Sequence, residues 1–312
     1  MKKLKECPIC ANKRITFLFN QKDKNIGILG NFSLFKCNNC EGIFLNPQPS
    51  YEESSGFYPK GEYYSLNKIK TERKSVKTKV KLELYKTYFS ESGNKLKRFL
   101  FSPFKFMTRS AFIKKGAKLL DIGCGSGQFL YEMKSLGLNV YGIEQGKFDE
   151  EGNKKYSLHI INGEIEKAKY NKEQFDIITL NHVLEHTNNP NKTLIVIKKA
   201  LKKEGILIIG VPNTNSWAYK IFKKNWYQLD VPRHIIDYSN KNLKLLLEKK
   251  GFKIQKVRYN SRPSQFSVSF MYSLNIKNSV IKHALDTVFL PLTWIANSLR
   301  VGDQIEVLCK KK

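Results

Sequence analysis

Two groups of residues in this 312-residue chain have the types and spacing to do chemistry. The first is Leu120-Asp121-Ile122-Gly123-Cys124-Gly125-Ser126-Gly127, where an apolar run gives way to a helical pattern. Small residues at such a turn let the backbone approach a ligand, and the start of the following helix offers free N–H groups. A glycine loop alone is a weak signal. Here Glu144 follows Gly123 by 21 residues, at the end of the next apolar run. A carboxylate in that position can accept both hydroxyls of an adenosine ribose. Gln128 stands where a dinucleotide fingerprint would place its third glycine. Together these features point to an adenosine ligand that carries an amino acid instead of a pyrophosphate.

The second group is Cys7-x-x-Cys10 and Cys37-x-x-Cys40. Two intervening residues let both thiolates of a pair turn toward one centre, and two such knuckles supply the four soft ligands that tetrahedral zinc prefers. The intervening chain is long enough for a hairpin, with Phe17-Leu18-Phe19 and Phe32, Leu34 and Phe35 as its strands. The expectation is a zinc ribbon. Four thiolates close the coordination shell, so the metal is expected to be structural, stapling a lobe too small to be stable alone. Cys124 and Cys309 have no such partner in sequence.

The glycine loop and Glu144, with the segment Asn181-His182-Val183-Leu184-Glu185-His186, resemble the class I S-adenosylmethionine-dependent methyltransferases. The resemblance runs from about Lys118 to Val211 and continues more weakly to Lys310. It implies S-adenosylmethionine as cofactor, with Asp121, Gly123 and Gly125, together with Gly127 of the same loop, around its methionine and ribose. Glu144 would hold the ribose diol and Glu164 would lie beside the adenine. Asn181 would open a segment that faces both cofactor and acceptor. Exocyclic base amines are disfavoured as acceptors, because that segment lacks an Asn/Asp-Pro-Pro-aromatic motif.

Methyl transfer is an in-line displacement in which positioning and desolvation carry much of the task. A hydroxyl acceptor also needs a base, and histidine suits that role near neutral pH. The candidates are His234, then His182, then His186. His234 leads because its loop, Trp226 to His234, follows the fifth strand and so falls on the ligand side of the sheet. Asp230 and Arg233 of that loop are candidates to orient a substrate hydroxyl or acidic group. The ribbon, the Tyr-Tyr linker and these two His-containing segments together resemble bacterial methyltransferases of surface-polysaccharide and secondary-metabolite pathways. The acceptor expected from that resemblance is a sugar, nucleotide-sugar or glycolipid. The rival readings are an RNA methyltransferase with an RNA-binding ribbon and a non-catalytic cofactor-binding regulator.

The elements that must position these residues alternate. Strands are expected at Lys118–Ile122, Asn139–Ile143, His159–Ile161, Phe175–Leu180, Ile206–Val211, Lys253–Tyr259 and Ile305–Leu308. Helices are expected at Ser126–Leu136, Pro190–Lys203 and Asn242–Lys250. This is an α/β class, a Rossmann-like doubly wound, mostly parallel seven-stranded sheet beside a small N-terminal zinc ribbon. The expected organisation is a ribbon over 1–50, then a Tyr-rich linker and helical cap over 51–115. The methyltransferase domain fills 116–312, with lid insertions near 213–240 and 261–300. The cap is expected to include a helix from about Lys68 to Phe89 with Val76, Val80, Leu84 and Tyr88 on one face.

Composition bounds the setting. Hydrophobic residues at 41% and charged residues at 26% describe a globular chain able to bury a core. The net charge of +28 is large, and such a surplus suits an anionic partner. The lysines are spread through the chain without a block of five or six, so the charge is also what a lysine-rich codon usage would give. No apolar stretch is long enough to span a membrane, and no leader pattern precedes Cys7, so a cytoplasmic, reducing location is expected. Leu285, Val288, Phe289, Leu292, Ile295, Ala296 and Leu299 fall on one helical face that Pro291 would kink or break. That helix is expected to pack as a lid or to meet an anionic membrane surface at its inner face.

Overall fold

The computed structural model describes residues 1–58, 76–90, 95–146 and 150–312. Tyr63, Tyr64 and the first part of the helix expected from Lys68 lie outside them. Eleven strands form two sheets: β1 Ile15–Gln21, β2 Phe32–Cys37, β3 Ile43–Leu45, β4 Lys118–Ile122, β5 Asn139–Glu144, β6 His159–Asn162, β7 Phe175–Asn181, β8 Leu201–Pro212, β9 Ile236–Asp237, β10 Phe252–Tyr259 and β11 Gln304–Lys311.

The larger sheet runs β10-β11-β8-β7-β4-β5-β6. Strands β6, β5, β4, β7 and β8 pair in parallel, and β11 lies antiparallel between β8 and β10. This is the expected Rossmann-like sheet. Its central strands are covered on both faces, which is why Leu119, Leu120 and Ile122 of β4 and Ile177, Ile178 and Leu180 of β7 are all buried. The chain order reverses between β4 and β7, so the carboxyl ends of these two strands flank the switch point where ligands of such sheets bind. The glycine loop follows β4, and the Asn181–His186 segment follows β7.

The junction between the helix after β7 and strand β8 differs most from the sequence expectation. The helix opened by Asn189, whose side chain accepts from the Lys192 amide, ends at Ala200 instead of Lys203. Buried Leu201 pairs with Phe175 and draws the chain into β8 five residues early. The helix Val76–Phe89 turns Leu84 and Tyr85 inward and leaves Val80 exposed, so its inner face is rotated from the expected one. Tyr85 packs on Phe129 of the helix that follows the glycine loop.

The N-terminal sheet corrects the ribbon expected over 1–50. Its order is β1-β2-β3-β9, and β9 comes from residues 236 and 237. Ile43 pairs with Asp237 and Phe44 with Ile236. Cys7, Ile9, Cys37, Cys40 and Phe44 share one core with Ile235, Ile236 and Tyr238. The ribbon is therefore built into the main body, and residues 213–240 form part of that junction.

The C-terminal insertion holds three helices, Ser264–Ser273, Ser279–Val288 and Leu290–Ser298. Of the kink or break expected at Pro291, the structure has the break, with Pro291 in the first turn of the last helix. The apolar residues expected to share one face do not. Phe289 and Leu292 pack with Phe266 and Ala296 is buried, whereas Val288, Ile295 and Leu299 are exposed.

Gly123 has φ +65°, and a Cβ there would stand 2.4 Å from Val183 Cγ2. Gly123→Ala is expected to lower stability by about 1–3 kcal/mol through left-handed strain plus this clash. Chemical denaturation would read it, and an unchanged midpoint would refute the close approach.

Candidate functional site

A cleft of about 1890 Å³ opens at the carboxyl ends of β4, β5 and β7. Gly123, Cys124, Gly125 and Ser126 line it, and so do Glu144, Glu164, Asn181, His182 and His186. The Gly125 amide donates to Glu144 Oε2 at 2.7 Å. The amides of Gln145 and Gly146 donate to Glu144 Oε1 at 3.0 Å each. Three of the carboxylate's roughly four acceptor positions are thus filled by backbone, which fixes it at the end of β5 with capacity for about one further donor. Glu164 follows β6 and accepts from Lys167 at 2.6 Å.

Two expected cofactor contacts do not line the cleft. Asp121 is buried below the loop, accepting from Thr179 Oγ1 and, at 2.7 Å, from Arg109 Nη2. Its carboxylate supports the loop from behind, through Arg109, which lies over the Phe129 ring. Gly127 turns away too. At φ +84° it starts the helix Gln128–Ser135, and a Cβ there would crowd Asn153, Leu158 and Ile160.

The structure also reorders the histidines. His234, ranked first by sequence, is buried and does not line the cleft. His182 does line it, with 23% of its side chain exposed. Its Nδ1 lies 3.1 Å from Glu185 Oε1. A carboxylate only accepts, so Nδ1 carries the proton and Nε2 keeps its lone pair. His182 also has φ +55°, a strained backbone state for a residue with a Cβ, held by an amide bond to the Gly210 carbonyl at 2.9 Å. Glu185 is fully buried, yet its neighbours keep it ionised: burial pushes its pKa up, and the hydrogen bond from His182 with the charge of nearby His234 pulls it below the ordinary value.

Behind this pair lies a buried charge network. His186 Nδ1 donates to the Arg233 carbonyl at 2.8 Å, and Tyr58 Oη is 3.1 Å from the same nitrogen. His234 Nδ1 is 3.7 Å from Asp237, and the rings of His186 and His234 meet edge to face. Burial and the adjacent His234 depress the His186 pKa to about 4. Burial alone would also lower His234, but Asp237, Asp230 and Glu185 raise it to about 9. One imidazole is therefore neutral and its neighbour cationic. Glu185, His186 and His234 bring ligand-type atoms within 4.8 Å of one another, and the charge pairing accounts for that closeness.

Arg233 and Asp230 do not face substrate. Arg233 is buried and forks onto Asp23 of the ribbon, at 2.8 and 2.9 Å, and onto Asp230, at 2.7 and 3.0 Å. Asp23 also accepts the amides of Asn25, Ile26 and Ile28. Arg233 lowers the pKa of both carboxyls against the upward push of burial. Sequence reasoning missed Asp23, which no local pattern connects to a residue 210 positions away. It also left Glu185 without a role, although a carboxylate three residues after a histidine was a usable signal.

The four ribbon thiols converge as their spacing requires. Cys7 and Cys40 Sγ are 3.6 Å apart, as are those of Cys10 and Cys37, and all four lie within 4.8 Å. A tetrahedral ion with metal–sulfur bonds of about 2.3 Å spaces its sulfurs by about 3.8 Å. The cluster has those dimensions.

Residues 94–257, over half of the chain, match the family model described as a methyltransferase domain. The chain belongs to that family. It is an S-adenosylmethionine-dependent methyltransferase. A ubiquinone biosynthesis O-methyltransferase of Pelagibacter ubique is 30% identical over 191 residues, covering 54% of this chain and 76% of that protein. One of Glaesserella parasuis is 35% identical over 120 residues, covering 34% of this chain and 50% of that protein. The methyltransferase also shares its fold with the 1,6-didemethyltoxoflavin-N1-methyltransferase of Burkholderia thailandensis, solved with 1,6-didemethyltoxoflavin and S-adenosylhomocysteine. That likeness has a TM-score of 0.50 at 11% identity and covers 93% of this chain and 99% of the other. Among the described residues, no helix is long and apolar enough to cross a membrane.

The histidine pair gives the methyltransferase a two-sided pH dependence. The contribution of neutral His186 is complete above its ordinary value near 6.5 and is lost as the pH falls toward 4. That of cationic His234 is complete below 6.5 and is lost as the pH rises through 9. Each is at most about 3 kcal/mol. Wild type is therefore expected to lose melting temperature relative to His186→Gln on acidification, and relative to His234→Gln on alkalinisation. Parallel curves across the pH range would exclude the assigned charge states.

Proposed function

We propose that this methyltransferase acts on a hydroxyl of a small-molecule acceptor, with His182 as the general base. The observation that carries this reading is the Glu185–His182 pair at the cleft, next to the glycine cradle. S-adenosylmethionine supplies, when bound, an electrophilic methyl group on a sulfonium. The backbone from Gly123 to Ser126, with Glu144, Glu164 and Asn181, would hold it. The cradle fits such a ligand because the backbone of Gly123 and Gly125 lines the cleft, and Glu144 retains acceptor capacity. His182 Nε2 accepts the proton of the acceptor hydroxyl. Glu185 holds the productive tautomer and stabilises the imidazolium that forms. Buried His234 stands near Glu185, and its charge favours the carboxylate. The Leu229–Ile236 strand of chain reaches Glu185 through the Ile235 amide, which donates to the Glu185 carbonyl at 2.8 Å.

For the acceptor, a sugar of a glycan or secondary-metabolite pathway, free, nucleotide-linked or lipid-linked, is the reading we favour. Beyond the glycine cradle the cleft is lined by Gln228, Asn260, Arg262 and Gln304, with Tyr227 and Ser264 among them. Amide, hydroxyl and guanidinium groups beside an aromatic ring suit a polyhydroxylated acceptor. The relatives named for ubiquinone biosynthesis support O-methylation but point to an aromatic hydroxyl instead. Methyl label offered with nucleotide sugars and with polyprenylated phenols in parallel separates the two.

His182→Gln is expected to lower methyl transfer by about 10²–10⁴-fold while S-adenosylhomocysteine affinity is retained. Glu185→Gln should lower the rate too and alter the pH profile, since the tautomer is no longer imposed. Full activity in His182→Gln would remove the base assignment.

The four cysteines are proposed to hold one structural zinc ion. Metal analysis of the purified chain should find about one zinc per molecule. Cys37→Ser should lose the zinc and lower the melting temperature, and full stability without metal would refute the site.

A further inference from the structure

A surface helix normally turns its apolar side to the core and its charged side to water. The helix Ser279–Val288 departs from this, exposing apolar residues beside the polar Ser279, His283 and Thr287. Asp286 accepts from Ser267 of the preceding helix at 2.5 Å and from Lys282 at 2.6 Å, so one polar edge of the helix faces the protein. Val280, Ile281, Ala284 and Val288, at helical i, i+1, i+4 and i+8 spacing, face out, with Val280 75% and Val288 69% exposed. The helix Leu290–Ser298 continues the pattern. Thr293 and Ala296 are buried, while Trp294, Ile295 and, just past its end, Leu299 are exposed. Ile295 is 50% and Leu299 58% exposed. Apolar residues exposed in sequence-consecutive helical stripes mark a contact surface.

The rim of this face is basic. Between residues 262 and 300, Arg262, Lys277, Lys282 and Arg300 stand against a single acid, Asp286, which Lys282 and Ser267 already hold. The helix Trp217–Phe222 packs against the first helix of the insertion and adds exposed Ile221, with Lys220, Lys223 and Lys224 beside it.

We infer that this face of the 264–299 insertion docks on an anionic lipid bilayer surface, lying in the interface without crossing it. An apolar stripe flanked by cations and carrying a tryptophan is what such an interface takes. A second copy of the chain fits less well, because pairing the face with itself would bring its basic rims together. Ser264 opens the insertion and also lines the cleft, so the docked face lies next to the acceptor site. The inference does not depend on the identity of the base or of the acceptor.

The full chain would be sedimented with sucrose-loaded vesicles of phosphatidylcholine, with and without phosphatidylglycerol. Binding is expected only with the anionic lipid, accompanied by a blue shift of Trp294 emission that Trp294→Phe removes. The double variant Val288→Asp, Ile295→Asp should lower binding by about tenfold or more while keeping its melting temperature and S-adenosylhomocysteine affinity. No binding of wild type to anionic vesicles would overturn the proposal. Undiminished binding of the folded double variant would do so too, since charge alone would then suffice. A wild-type dimer in equilibrium sedimentation that the double variant converts to monomer would assign the face to a second copy instead. Should the double variant not fold, the Trp294 comparison still decides.

Discussion

The site depends on one buried cation. The Arg233 guanidinium is fully enclosed and is neutralised by Asp23 from the ribbon and Asp230 from its own turn. Burying an ion is costly unless its hydrogen bonds are filled, and here four carboxylate contacts fill them. The arrangement ties three things together: the ribbon loop, the turn at 230–234 and, through the Arg233 carbonyl, the orientation of His186. Losing either carboxylate leaves two guanidinium N–H contacts unfilled in a closed space, so the triplet acts as a constraint more than as a source of stability.

From that anchor the order propagates by charge. His234 comes next in the chain and sits among three carboxylates, which favours its cation. His186, beside that cation, is driven neutral. Glu185 lies within 4.8 Å of both imidazoles and presents Oε1 to His182 at the cleft. The orientation of His182 is thus set by a carboxylate that does not itself line the cleft. Environment, more than residue type, separates the roles of the three histidines.

The sheet, the glycine turn, Glu144 and the four thiols were all legible in the sequence. Each is encoded locally: β4 is a short apolar run, the turn needs glycine at φ +65° within one step of it, and each thiol pair spans four residues. The ranking of the histidines was not legible. Following a strand on the ligand side says which end of the sheet a residue occupies, but not whether its side chain enters the cleft or passes beneath it. His234 passes beneath because β9 pulls residues 236 and 237 away to pair with β3. Asp230 and Arg233 were misread for the same reason, since their partner Asp23 is remote in sequence. A kink or a break was expected at Pro291 in the C-terminal helices, and only packing decides that it begins a new helix.

Strand β9 also bears on how the molecule can be made and modified. The ribbon's sheet gains its last strand, and Asp23 its cationic partner, only when residues 233–237 are present. During synthesis the N-terminal segment must wait, with a carboxylate and an apolar strand edge uncovered, until most of the larger sheet has been translated. For the same reason the ribbon is not an exchangeable module. A graft from a relative would have to carry the Asp23 loop and the 230–237 turn as a matched pair, so the two segments form one inherited unit despite the distance between them in the chain.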